Sequence, residues 1–400
     1  MPHGETVRAQ RLHRRHLRQS ITRISSVAAI AVSALALAAG ASGEASRGAA
    51  TGLVVWGHGF GHGIGLSQWG AEGRSEAGQS FQEILSFYYP GATLGSTGDR
   101  SVRVLLSEAN GFRVGSDAPF TATDADGRRI EFEPGLVRVT SGRLGERLVS
   151  LPLRLSPGGA PLQLGGTRYR GTLTFTAADG GAVRAVNTLD LELYVRAVVS
   201  SECPGTFGQA ALSAQAVASR SYALANLHPE RDFDLYPDDR SQNYHGMRRE
   251  LPGATAATLA TRGSVLVYKG SVADTLFSAS NGGVTNDGED SWGPTRLPFV
   301  ASRPDPFDTN GPAAEWGPVR LTIQRIRDAL PVVPADLAGI TLVRNAAGRA
   351  SAVRFVALDG SHVDVPGYQF QQRLGLRSTY FTMAAAFGPA LVQASELSTT

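Results

Sequence analysis

Between residues 102 and 186 apolar and polar positions alternate in short runs: VRVLL, PFTATDADGRRIEF, LVRVT, LVSLPLRL and YRGTLTFTAADGGAVRAV. A period of two in pieces this short predicts strands with one buried face, and Asp126-Gly127 and Asp179-Gly180-Gly181 suit tight hairpin turns. Outside that stretch the period lengthens. From Glu72 to Tyr89, Phe81, Ile84, Leu85 and Tyr88 recur at helical spacing until Pro90-Gly91 stops them. Residues 189–201 (LDLELYVRAVVSS) read as a strand-like run that ends at Val198-Val199 and delivers Glu202-Cys203-Pro204 to a helix start. Gly208 to Asn226 carries mostly Ala, Leu, Gln and Ser without proline, which predicts a helix. Its Ala211, Ala214, Ala218 and Tyr222 share one stripe, and small residues there let a second helix approach closely. A helical turn at 254–260, the strand SVLVYKG, a Gly/Asn/Ser loop at 278–293 and a helix at 323–330 follow. The tail ends in paired strands (ITLVRNAAGRASAVRFVAL) turning at 346–348, then QQRLGLRSTYF. There is no internal repeat. The fold class is α+β, with a β-rich inserted or flanking unit.

Composition narrows the class. The chain has 400 residues, 42% apolar and 18% charged, with 47 Gly and 21 Pro. Those values exclude a disordered protein, a collagen and a disulfide-stapled miniprotein. Cys203 is the single cysteine, which excludes an internal disulfide and a thiolate cage for zinc. A sequence pI near 9.2 points towards nucleic acid, but the charge is unevenly placed. Residues 1–23 hold six arginines against Glu5, a net of +5; subtracting 5 from the chain's +3 leaves −2 for residues 24–400. The basic character belongs to the leader, and nucleic acid is set aside as a partner. That leader has an Arg-rich start, an uncharged run over residues 24–43 and small residues around Ala39-Gly40-Ala41. It reads as a secretory signal peptide, with a membrane tether through residues 24–43 as the alternative. Both place the body outside the cytoplasm, secreted or in the cell envelope.

Several residues are candidates for chemistry. Glu202 at the mouth of an apolar segment is open to desolvation, which raises a carboxyl's pKa and lets it hold a proton near neutrality. The plainer reading is a helix-start carboxylate facing the macrodipole. His58 and His62 lie four apart, but five glycines between 57 and 65 argue against a helix, and no flanking carboxylate completes a metal site. That loop is either a turn whose glycines permit positive φ, or a groove wall where His62, Ser67 and Gln68 meet a hydroxyl-rich ligand. Arg220 and Gln215 interrupt an apolar helix, so Arg220 either faces solvent or pairs with an acid such as Glu202. The polar loops around Gln242-Asn243-Tyr244 and Ser280-Asn281-Gly282-Gly283 are ordinary solvated turns taken singly. Together they suit a long carbohydrate groove.

These strings match a known family. LELYVRAVVSSECPG with FGQAALSAQAVASRSYAL (191–224), SQNYHG (241–246), SASNGGVTNDGEDSWG (278–293), GLRSTYF (375–381) and GHGFGHGIGLSQWGAEGRSEAGQSFQEILSFYYPGATL (57–94) resemble the SpoIID/LytB family. It comprises sporulation stage II protein D, a lytic transglycosylase acting on peptidoglycan glycan stripped of stem peptides, and amidase-enhancer proteins. The resemblance places the family's catalytic glutamate on Glu202, with Cys203 where methionine is usual, and its arginine on Arg220, which is expected to take part in catalysis by orienting the glycan rather than by pairing closely with Glu202. Gln215 and Tyr222 match the same helix string, and His62, Gly63, Gly65, Ser67, Gln68 and Gly70 match its H-G-x-G loop. Implied glycan-binding residues are His62, Gly63, Ser67, Gln68, Gln215, Tyr222, Gln242, Tyr244, Ser280, Gly282 and Gly283. Departures are Ser213 where lysine is frequent, Ser278 where histidine is frequent, and the lack of cysteines that hold zinc in some members. No metal and no cofactor are expected. The H-G-x-G loop comes last in the sporulation protein and first here, so the sequence reads as circularly permuted, which requires residues near 53 and 383 to be close. The implied division is a leader at 1–45, a loop and helix belonging to the core at 46–100, a β-rich domain at 101–186 and a SpoIID-like core at 187–390.

The resemblance implies a single-carboxylate mechanism. Ordinary glycosidases need two carboxylates. A lytic transglycosylase uses the sugar's own C6 hydroxyl as a tethered nucleophile, so one glutamate suffices as acid and then base. The expected function is cleavage of peptidoglycan glycan strands to 1,6-anhydro ends, with a glycan-binding enhancer of a cell-wall amidase as the alternative.

Overall fold

The computed structural model describes residues 35–36, 50–288, 297–309 and 311–387. The leader and the 24–43 run lie outside the described residues except for that isolated pair, as do Trp292 and Gly293. Among the described residues no helix is long and apolar enough to cross a membrane.

The architecture is α+β, organised around three large apolar clusters. The first is helical. It contains α1 (Gln68–Glu76), α2 (Phe81–Tyr88), α3 (Leu191–Glu202), α4 (Gln209–Ala225) and α5 (Pro252–Ala260). Central α4 packs against the other four. Its Ala214, Ala216 and Ala218 are fully buried, which is what lets neighbours close in on all sides.

Two expectations from the sequence need correction here. Residues 191–202 are a helix and not a strand-like run. The Asp190 side chain accepts the N–H groups of Glu192 and Leu193 at the helix start. Leu191, Tyr194, Val195, Val198 and Val199, all buried, follow the i, i+3, i+4, i+7, i+8 rule that the β-branched residues disguise. The second correction concerns 72–89, where two helices replace one. Gly78 adopts φ +83° between them, and Ser80 with Glu83 forms a capping box that restarts the chain as α2.

The second cluster belongs to the β-rich stretch. Two six-stranded antiparallel sheets share an apolar interior that includes Val114, Phe120, Leu155 and Phe175. The strand Val183–Asp190 of one sheet runs directly into α3, so this unit fixes where α3 begins. The third cluster takes in Leu53, Val55, Phe355, Phe370 and Phe381. Its central strand, Ala50–His58, pairs antiparallel with both Glu315–Thr322 and Phe381–Phe387. Val55 lies opposite Met383, so the two ends of the motif-bearing segment are direct neighbours.

Candidate functional site

Glu202 is the last residue of α3, and its partly buried carboxyl is held by neutral amides. Asn243 donates its backbone N–H (2.8 Å) and its Nδ2 (3.2 Å) to Oε1, and Gln68 donates Nε2 to Oε2 at 3.2 Å. Among the described residues no cation forms a salt bridge with it. Burial pushes the Glu202 pKa up, and the three amide donors offset only part of that rise. The helix end adds to the same tendency, because the carbonyl-rich C-terminus disfavours a second negative charge. The result is a carboxyl inclined to keep its proton and fixed in orientation by three amide donors.

Gln68 reaches this point because of the Gly-rich loop before it. Ser67 caps α1 by accepting the Gly70 N–H at 3.1 Å, which starts the helix with Gln68 directed at Glu202. Upstream, Gly63 adopts φ +72°, and a Cβ there would collide with the Arg349 guanidinium. His62 Nδ1 accepts the Ile64 N–H at 3.0 Å, and the ring also bonds the Phe277 backbone. Burial and neighbouring Arg349 pull the His62 pKa down to about 4, so the ring is neutral and braces the loop.

Behind the loop lies an acidic node. The Asp308 carboxylate accepts the Ser67 hydroxyl (2.8 Å), the Ser280 hydroxyl (2.9 Å), and the backbone N–H groups of Asn281 and Gly282. Burial lifts its pKa to about 6. Neighbouring Asp305 accepts Tyr88 Oη at 2.6 Å, Asn281 Nδ2 at 2.8 Å and Arg74 Nη2 at 2.8 Å. Ser67, Ser280 and Gly282 thus join α1 to the 278–283 loop from inside, with the Ser280 side chain fully buried, while the Gly283 carbonyl accepts the Asp305 N–H at 2.8 Å. Cys203 is a buried core residue whose thiol is pushed up by burial and by Glu202 and Glu72, so it stays neutral.

Arg220 is not beside Glu202. Its guanidinium, fully buried, forms a two-pronged pair with Glu192 at 2.8 and 2.7 Å. The remaining N–H groups go to the carbonyls of Ala216, Ser264 and Thr258, which leaves no donor for Glu202 or a glycan. The acidic partner anticipated for this helix-interior arginine is Glu192, and the pair ties α3 to α4. Gln242 and Tyr244 also face inward: Tyr194 Oη donates to Gln242 Oε1 at 3.0 Å, and Tyr244 Oη donates to Asn187 Oδ1 at 2.7 Å. Asn243, between them, points the other way and meets Glu202. Gln215 is buried with its Nε2 on Ser219, and Tyr222 lies edge-on to Phe277. Of the residues singled out from the sequence, Gln68 alone bonds Glu202.

The sequence reading missed Asn243, Glu192, Asp305, Asp308 and Arg349, and it missed a second acid, Glu72. Glu72 sits one turn beyond Gln68 on α1, and its Oε2 accepts the Gly208 N–H at 2.7 Å where α4 begins. That is a capping task. Among the described residues no group of three or more His, Cys, Asp or Glu side chains is arranged to hold a metal ion.

Residues 179–268, which contain α3, Glu202, α4 and Asn243, match a family model described as Stage II sporulation protein (SpoIID). An uncharacterized protein of Brachyspira hyodysenteriae is 34% identical over 140 residues, covering 34% of this chain and 38% of that one. The Amidase enhancer of Bacillus subtilis is 60% identical over 43 residues, 11% of this chain and 6% of that one. Stage II sporulation protein D of Bacillus subtilis is 28% identical over 148 residues, 33% of this chain and 43% of that one. The chain therefore spans less than half the length of each of these relatives.

Proposed function

Taking as premise that the chain belongs to the SpoIID/LytB family, we propose that it is a peptidoglycan lytic transglycosylase with Glu202 as its single acid and base. The observation that carries the reading is the seat of Glu202: a helix C-terminus, amide donors only, and burial that raises its pKa. A carboxyl so placed is suited to donate a proton to a glycosidic oxygen.

The reaction balances on that one group. Glu202 gives its proton to the glycosidic oxygen as the C1–O bond breaks. The C6 hydroxyl of the same sugar then bonds to C1, and its proton returns to the Glu202 carboxylate. The product carries a 1,6-anhydro ring, no water is consumed and the acid is regenerated. Asn243 and Gln68 keep the carboxyl from rotating between the two proton transfers. Arg220 serves as a positioning residue, acting through Glu192 on the packing of α3 against α4. The loop around His62, Ser67 and Ser280 is the rigid wall beside the strand. The protein works outside the cytoplasm, exported through its leader.

The test is mass spectrometry of stem-peptide-free glycan strands digested by wild type and by Glu202→Gln. Wild type yields anhydro-ended fragments, and the variant yields them about 10²-fold more slowly or worse. Equal yields from both, or none from either, refute the proposal. A second reading, favoured by the 60% identity with the Amidase enhancer over 43 residues, is a glycan-binding stimulator of a cell-wall amidase. On that reading Glu202→Gln stimulates the amidase as well as wild type does.

A further inference from the structure

A cleft opens where the β-rich unit meets the loop that carries Asn243. Its volume is about 460 Å³, within the size range of ligand pockets. The strands Ser101–Ala109 and Val183–Asp190 supply one wall, and residues 233–240 supply the other. Phe233 and Tyr236 meet edge to face at 5.1 Å between ring centroids. Arg184 lies over Phe233 at 5.8 Å, and Arg240 lies over Tyr236 at 4.0 Å. Each guanidinium is matched by carboxylates: Arg184 by Glu108 (2.7 Å) and Asp232 (3.1 Å), Arg240 by Asp238 through two bonds of 2.8 and 2.7 Å.

The chemistry of this lining selects its ligand. No positive charge is in surplus, so a phosphate or other anion gains nothing here. Aromatic carbon beside fixed donor–acceptor pairs instead suits a neutral ring with hydroxyl and amide groups, whose apolar face covers the aromatics while its hydroxyls meet both charge signs. The cleft is also tied to Glu202. Tyr236 donates its N–H to Ser241 Oγ at 3.1 Å, Tyr244 donates its N–H to the Pro237 carbonyl at 2.9 Å, and Asn243 between them holds Glu202. Seven residues from Tyr236 to Asn243 span at most about 25 Å even when fully extended.

We propose that this cleft is a remote saccharide subsite that grips the same glycan strand presented to Glu202. The proposal rests on the glycan reading of the Glu202 site, and it gives the β-rich unit a share in binding. Only binding is needed to test it. Stem-peptide-free glycan strands are titrated calorimetrically into the full chain carrying Glu202→Gln, so that they survive the measurement. Adding Tyr236→Ala weakens binding about tenfold, the scale of one lost aromatic contact, and Tyr236→Phe restores it. Unchanged affinity in a Tyr236→Ala protein with native circular dichroism overturns the proposal. If that variant fails to fold, the exposed-rim change Arg240→Ala decides: weakened binding supports the subsite and unchanged binding overturns it. Binding of free stem peptides that Tyr236→Ala abolishes, with strand binding unaffected, also overturns it, assigning the cleft to peptide. Failure of the Glu202 reading would appear separately, as wild type releasing no anhydro ends while these affinities remain readable.

Discussion

The two ends of α3 carry the same residue type in opposite settings. Glu192, in the first turn, sits where the helix N-terminus favours negative charge and is clasped by the buried guanidinium of Arg220. Glu202, in the last turn, sits where the helix disfavours negative charge and meets only amides. Ten residues apart on one helix, one glutamate fastens two helices together and the other is held by amides alone with its pKa raised by burial. The difference teaches that a glutamate's role here follows from its partner and its helix end. The arginine that looked catalytic from the sequence belongs to the fastening end.

Breaking the fastened end has the largest expected effect on stability. Arg220→Ala leaves Glu192 partly buried without its cation and should lower the unfolding free energy by about 3–5 kcal/mol in urea denaturation. A loss below about 1 kcal/mol would mean that the pair is dispensable. At the other end, Glu202→Gln should shift the unfolding free energy by no more than about 1 kcal/mol at neutral pH, because burial already favours an uncharged group there. A loss as large as that of Arg220→Ala would make Glu202 structural. The smallest effect sharpens the comparison. Gln68→Ala removes a donor that favours the charged form, so the Glu202 titration midpoint should move further upward, read by carbon-13 NMR. A downward move would reverse the assigned role of Gln68. The direction for activity follows: as a general acid Glu202 is competent below its raised pKa, so turnover falls as pH rises through that value.

Much of the frame was legible in the chain. The period of two between 102 and 186 gave strands, and the Asp126-Gly127 and Asp179-Gly180-Gly181 turns fall between paired neighbours. The proline-free run after Gly208 gave α4 nearly to its ends. α3 was misread because Val195, Val198 and Val199 look strand-like, although Asp190 and the i, i+3, i+4 spacing marked a helix. The split between α1 and α2 was likewise written in Gly78 and the Ser80–Glu83 box. Of the candidate site residues, Gln68 and Glu202 do come together. Asp308 was not legible, because its donors stand at 67 and 280–282, and no local pattern announces a bond across 241 positions. Asn243 hid for another reason. In a run where side chains alternate direction, naming Gln242 and Tyr244 selected the two that face the core.

The account stands on Glu202 holding its proton at a pH where an ordinary glutamate has lost it. A carbon-13 titration of the side-chain carboxyls, with the Glu202 signal assigned by its absence in Glu202→Gln, measures this directly. The account predicts a midpoint above the ordinary value of 4.5. A midpoint at or below 4.5 would contradict it.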